Sequence, residues 1–196
     1  GFGVANGEVN SPDNWRQQAG LELIRHRAFE EVSGGNIFGR IRARNAWVSA
    51  NDARQMHDVR EFTFYNLDAE RIVDVKITFL ATDGDVELGD TKEGGILSLR
   101  VAGSMDGDRG GTITNSFSGT TEAETWGKPA HWVDYCGPAD GRTMGIAVMD
   151  HPLSFRHPTR WHVRDYGLFA ANPFALKSYE PDSGQSGEYT IRNGEK

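Results

Sequence analysis

The chain has 196 residues, 28 acidic against 21 basic side chains and a formal net charge of −7, which suits one domain spanning 1–196 with room for a sizeable core. That acidic balance, with a pI near 5.4, argues against nucleic acid or an anionic membrane surface as partner and points to a small or neutral one. No run approaches the roughly 20 apolar residues of a membrane helix, no basic-then-apolar leader opens GFGVANGEVN, and a single Cys136 excludes an internal disulfide and any CxxC motif. Cys136, between Tyr135 and Gly137, reads as a small core residue, and the redox compartment stays open.

In chain order, 21–32, 36–50, 54–66, 71–82, 95–103, 111–117, 130–135, 143–149, 160–165 and 186–192 read as strands, rich in Val, Ile, Thr and aromatics. Turn signals separate them at Ser33-Gly34-Gly35, Asn51-Asp52, Asp83-Gly84, Asp106-Gly107, Asp140-Gly141 and Asn193-Gly194. No stretch keeps a helical period for three turns, so the expectation is an all-β chain of antiparallel hairpins forming a β-sandwich. In 71–82, Val73, Val75, Ile77 and Phe79 form the apolar face and Asp74, Lys76 and Thr78 the other. Arg40, Arg42 and Arg44 share one face of 36–50, which is either a solvated outer face or the wall of an anion-tolerant groove. The missing initiator Met, and a last strand followed by a turn with nothing to pair with, suggest a trimmed chain.

The segment Arg156–Leu176 is unlike the rest, since it packs two His, three Arg, an Asp, a Tyr, a Trp and an Asn among turn-forming residues. Alternation there would put Trp161, Val163 and Asp165 on one face and His162, Arg164 and Tyr166 on the other. His162 is the candidate acid or base, because imidazole titrates near neutrality and Asp165, Tyr166 or Glu93 would orient it. Glu93 sits between Lys92 and Gly94-Gly95, where backbone can approach a ligand closely and a neighbouring ammonium favours the ionised carboxylate. It reads either as a general base or as a solvated turn carboxylate.

Trp126 and Trp161 lie in polar, loop-rich surroundings and offer flat faces to sugar rings, whereas Trp15, Trp47 and Trp132 read as core or interface. Arg160, Arg164, Asn172, Lys128 and Asn115 would then hydrogen-bond hydroxyls or a carboxylate, and Lys92, His157 and Tyr166 are further substrate-binding candidates. The reading calls for no cofactor. A divalent metal would draw on His157, His162 and Glu93, joined by His151 or His57, but their spacing matches no known ligand motif.

Several blocks resemble the DUF6807 family of bacterial proteins, also labelled PmoA-like. GFGVANGEVNSPDNW resembles that family's His-Gly-Asp-Val-Asn-Gly-x-Asp-Phe-Trp block, GDTKEG (Gly89–Gly94) a central block, and ETWGK (Glu124–Lys128), Trp132–Gly137 and Asp150–Phe174 follow in the family's order. Ala5-Asn6 stand where the family usually has a His, the upstream His-His-Arg segment is absent, and the family's closing strand is missing, so no role is carried over for those parts. The label as a methane oxygenase subunit fails, because that subunit spans a membrane. What the resemblance implies instead is a supersandwich of the galactose mutarotase-like kind and a sugar-related role, suggested by neighbourhood with sugar oxidoreductases. Such an analogy gives fold more readily than function.

Two functions follow as expectations. One is a carbohydrate-active enzyme of hydrolase, lyase or epimerase type, in which His162 and Glu93 move protons on a sugar or oxidised sugar. The other is a non-catalytic glycan-binding or protein-interaction module. Substrate, oligomeric state and compartment are not legible.

Overall fold

The computed structural model describes residues 2–6, 23–48 and 54–196. Trp15 and the Asn51-Asp52 turn therefore lie outside the described residues. In chain order the strands are β1 (Phe2–Asn6), β2 (Leu23–Ser33), β3 (Phe38–Val48), β4 (Arg54–Tyr65), β5 (Val73–Leu80), β6 (Val86–Leu88) and β7 (Gly94–Arg100). They continue as β8 (Thr112–Asn115), β9 (Trp132–Ala139), β10 (Arg142–Met149), β11 (Trp161–Val163), β12 (Leu168–Ala171) and β13 (Tyr189–Ile191). Single helical turns, α1 (Glu122–Thr125) and α2 (Leu176–Tyr179), interrupt the loops. The chain is all-β with antiparallel sheets, as its alternation and turn pairs predict.

By its internal contacts the chain divides into two compact units, Gly1–Glu8 with Gly89–Tyr189, and Val9–Leu88 with Thr190–Lys196. The first is a two-layer sandwich. One sheet has the order β1-β7-β12-β11 and the other β10-β9-β8. Trp161 and Val163 of β11 and Phe169 of β12 meet Ile113 of β8 and Val133 and Tyr135 of β9 in a common core, with Leu99 of β7 packed against it. Burial of side chains this large is the main force holding two sheets together, at about 1.5–3 kcal/mol for each. The β9–β10 hairpin closes at Asp140-Gly141, both with positive φ (50° and 73°), as a two-residue turn of right-handed strands requires.

The second unit carries the four-stranded meander β2-β3-β4-β5 and a two-stranded ladder, β6-β13. The arginine row of β3 is a solvated, ion-paired face. Arg42 bonds Glu30 and Glu61, each at 2.9 Å, Arg44 meets Glu30 at 3.4 Å and Arg40 meets Glu31 at 3.9 Å. Arg44 also lines an open cleft with Arg27, Arg54 and His57, where Arg54 is already clamped to Asp83. On β5 the apolar row is half-buried from Val75 to Phe79, while Val73 at its start is exposed.

Three strands escape the sequence pattern. β1 and β12 contain Gly, Asn or Ala, which are poor strand formers taken alone, and β6 is too short to alternate. Each is stabilised by its neighbours: β1 and β12 flank β7, and β6 pairs with β13. The expected strand 160–165 stops at Val163, because Arg164–Gly167 form the turn to β12, with Gly167 N donating to Arg164 O and Arg164 N to Leu168 O. The Asn193-Gly194 turn does find partners, since Gly194 N donates to Ala81 O and Ala81 N to Glu195 O.

Candidate functional site

On the sandwich sheet β1-β7-β12-β11, side chains alternate between the core and the opposite face. His162, between the core residues Trp161 and Val163, falls on that opposite face, in a cross-strand row with Ala170 and Ser98. A loop from Asp90 to Glu93 reaches this face. Thr91 Oγ1 accepts from Glu93 N at 3.0 Å, which bends the loop and turns the Lys92 carbonyl toward β11 and β12. That carbonyl accepts from His162 Nδ1 at 2.8 Å and from Asn172 Nδ2 at 3.4 Å. Asn172 also donates to Thr91 O at 3.0 Å and accepts from Phe174 N at 3.0 Å.

The clamp decides a tautomer. A carbonyl oxygen only accepts, so His162 Nδ1 carries the hydrogen and Nε2 is left as a lone-pair nitrogen. The residue is 3% exposed. Burial pushes the pKa of the ring below its ordinary value; the carbonyl bond and the Glu93 carboxylate act against that, and Arg164 and Lys92 reinforce it. His162 is therefore a neutral base at neutral pH. Glu93 sits beside it on the loop, half-exposed and paired with Lys92 Nζ at 2.6 Å.

The ETWGK loop brings the aromatic partner. Thr121 caps α1 by accepting from Glu124 N at 3.3 Å, and the Glu124 carboxylate reaches back to Thr120 N at 2.8 Å. Those bonds hold the Glu124 carboxyl below the usual carboxylate range. Trp126 ends the turn with its ring edge-on to His162 (centroids 6.2 Å apart) and to Tyr179 (5.0 Å). Gly127 follows at φ 70°, and a Cβ there would lie 2.6 Å from the Tyr179 ring, so the position requires glycine twice over. Arg160 fixes the loop from outside, donating to Gly127 O and to Glu180, both at 2.7 Å.

This cluster holds polar atoms that the fold leaves unsatisfied. Trp126 Nε1, Tyr179 Oη and Ser98 Oγ are buried and have no hydrogen-bond partner among the described residues. Burial raises the pKa of the Tyr179 hydroxyl strongly, so it stays a neutral donor. An unpaired buried donor costs about 1–3 kcal/mol.

The other expected site residues lie elsewhere. Trp161 is wholly buried in the core with Nε1 bonded to Ala130 O at 2.9 Å, so it has no face to offer a ligand. Asp165 and Tyr166 belong to the β11–β12 turn, where no hydrogen bond among the described residues joins either to His162. Asp165 N donates to Glu122 there, and the Tyr166 ring lies against the guanidinium groups of Arg100 and Arg164. Asn172 is a brace for the Lys92 loop, and Asn115 ties its own turn through Phe117 N and Gly119 N. Lys128 is exposed on the loop after Trp126. His157 bonds Asp150 and His131, apart from His162 and Glu93. His151 accepts from Leu153 N, and His57 meets Asn45 O in the second unit. Among the described residues no three His, Cys, Asp or Glu side chains converge as metal ligands. Tyr179 and Ser98 were not singled out in the sequence; a Tyr in KSYEP and a Ser in a strand carry no signal of their own.

The model of a family of unknown function, DUF6807, matches residues 1–196. The chain belongs to the DUF6807 family. No curated protein and no solved structure matches it. Within this DUF6807 chain, the blocks GDTKEG, ETWGK and Asp150–Phe174 supply the Lys92 clamp, Trp126 and His162, three elements distant in sequence that the sandwich brings together.

Proposed function

We propose that the His162 cluster is a carbohydrate site, in which Trp126 Nε1 and Tyr179 Oη hydrogen-bond ligand hydroxyls or a carbonyl and His162 Nε2, with Glu93, moves protons on a sugar or oxidised sugar. The observation that carries this reading is the pair of buried, unpartnered donors on two rings in mutual contact beside a neutral imidazole. A ligand rich in oxygen acceptors would satisfy both donors, and the faces of Trp126 and Tyr179 suit its apolar C–H surface. The reaction class is proton abstraction beside a carbonyl, or acid-base cleavage or epimerisation, with the proton going from substrate carbon or oxygen to His162 Nε2 and returning from it or from Glu93. A supersandwich architecture of the mutarotase-like kind is the finer fold assignment that accompanies this proposal.

A second reading keeps the ligand and drops the chemistry. It is favoured by the anchoring of His162 Nδ1 on a backbone carbonyl and by the ring's near-complete burial, which suit a binding module as well as a base. One experiment separates the two. Thermal melting across mono- and disaccharides and their 3-keto forms identifies a ligand, and turnover of that ligand is then followed in the wild type and in His162→Gln. A melting shift with turnover that the variant loses supports the enzyme. A shift without turnover supports the module, and no shift from any sugar removes both.

A further inference from the structure

A second group of titratable side chains lies in the sandwich unit, outside the His162 cluster. Asp150, at the end of β10, accepts from Thr159 N at 2.8 Å through Oδ2, and the same oxygen lies 2.7 Å from His157 Nδ1. The far side of that ring, Nε2, lies 3.2 Å from His131 Nδ1. The backbone holds the ends in register, since Asp150 N donates to His131 O at 2.8 Å and His131 N to Ser116 Oγ at 2.9 Å. The Asp150 side chain is only 8% exposed, whereas His131 is exposed and packs on Phe117, itself 62% exposed, with centroids 5.5 Å apart.

We infer that Asp150, His157 and His131 form a proton relay that presents His131 Nε2 as a bare, basic nitrogen to a hydroxyl-bearing ligand docked on Phe117. With both rings neutral, hydrogen-bond logic places each proton. An ionised carboxylate only accepts, so His157 Nδ1 carries a hydrogen and its Nε2 is bare. The contact between the rings needs one hydrogen, which His131 Nδ1 must supply. His131 Nε2 then has none. When a ligand O–H approaches, its proton moves to His131 Nε2, the Nδ1 proton passes to His157 Nε2, and the resulting imidazolium is stabilised by Asp150. An alkoxide, or hydroxide from water, is left at the ligand, and protonation returns by the reverse path. An inner His oriented by a buried carboxylate follows the same orienting logic as the acid-base triads of hydrolases, here with a second imidazole as the outer group. The relay does not depend on the His162 site.

The test needs no substrate. Long-range nitrogen–proton NMR on the full chain, labelled with nitrogen-15 histidine at neutral pH, reads each ring's tautomer. The expected result is His131 protonated at Nδ1 and bare at Nε2, with His157 protonated at Nδ1. His131 protonated at Nε2 overturns the relay. As a second readout, acylation of His131 by diethyl pyrocarbonate, located by mass spectrometry, should slow in Asp150→Ala, because the inner ring loses the carboxylate that orients it. An unchanged rate in a folded Asp150→Ala, judged by its melting curve, rejects the inference as firmly as the wrong tautomer.

Discussion

Two buried polar clusters, one in each unit, treat their donors and acceptors in opposite ways. In the second unit the Asp58 carboxylate is fully buried, and every approach to it is filled: Oδ1 accepts from Asn45 Nδ2 at 2.7 Å and Arg60 Nε at 2.8 Å, and Oδ2 from Trp47 Nε1 at 2.8 Å and the Arg60 guanidinium at 2.7 Å. In the sandwich unit Trp126 Nε1 and Tyr179 Oη are buried with nothing from the described residues to bond. The tryptophans make the contrast sharpest, since the indole N–H of Trp47 meets Asp58, that of Trp161 meets Ala130 O, and that of Trp126 meets no acceptor among the described residues. A completed network serves the fold. An open one costs stability, which a bound ligand would return.

The largest expected effect breaks the completed side. Asp58→Ala strands the Arg60 charge and leaves Asn45 and Trp47 without an acceptor, so denaturant unfolding should show a loss of about 3–5 kcal/mol. A loss below about 1 kcal/mol would mean that the cluster is dispensable and the contrast empty. Next comes Gly127→Ala, which must adopt positive φ and push its methyl into the Tyr179 ring. A loss of about 2–4 kcal/mol is expected in the same assay, together with any sugar-induced melting shift, because both orphaned donors flank that glycine.

The contrast was half legible in the sequence. Alternation and turn pairs predict the sheets, because both patterns are local: Val75 to Phe79 on β5 and Asp140-Gly141 between β9 and β10 need no distant partner to be recognised. His162 and Trp126 stand out by residue type and polar company. Tyr179 and Ser98 become candidate site residues only through the partners they lack among the described residues, and a missing hydrogen bond has no signature in a string of letters. Trp161 misleads for the related reason that one step of strand alternation sends it into the core and its neighbour His162 to the other face. Asp58 also escaped notice, since a lone acid in QMHDVREF reads as solvated until Arg60, Asn45 and Trp47 are seen around it.

A smaller effect sharpens the comparison through pH. His162 is held neutral by burial, below its ordinary value of 6.5. As pH falls through 6.5 the unfolded chain takes up this proton before the folded one, so its contribution to stability is full above that pH and lost on acidification, until the folded ring also titrates. The difference in unfolding free energy between wild type and His162→Gln should therefore change between pH 6.5 and 5, by at most about 1.4 kcal/mol per pH unit. A pH-independent difference would show that the ring is not kept neutral.

The smallest effect is the most discriminating. Tyr179→Phe removes a buried hydroxyl that has no partner among the described residues while keeping the ring on Trp126 and over Gly127. Nothing satisfied is lost, so the free protein should change by less than about 1 kcal/mol, in the stabilising direction. A sugar that bonds the hydroxyl should at the same time lose most of its melting shift. Stability and binding then move in opposite directions, which no structural hydroxyl does. If Tyr179→Phe instead destabilises by about 2 kcal/mol or more, the hydroxyl has a structural partner. The Trp126–Tyr179 cluster would then belong with Asp58 as part of the fold, and the proposed site would rest on His162 alone.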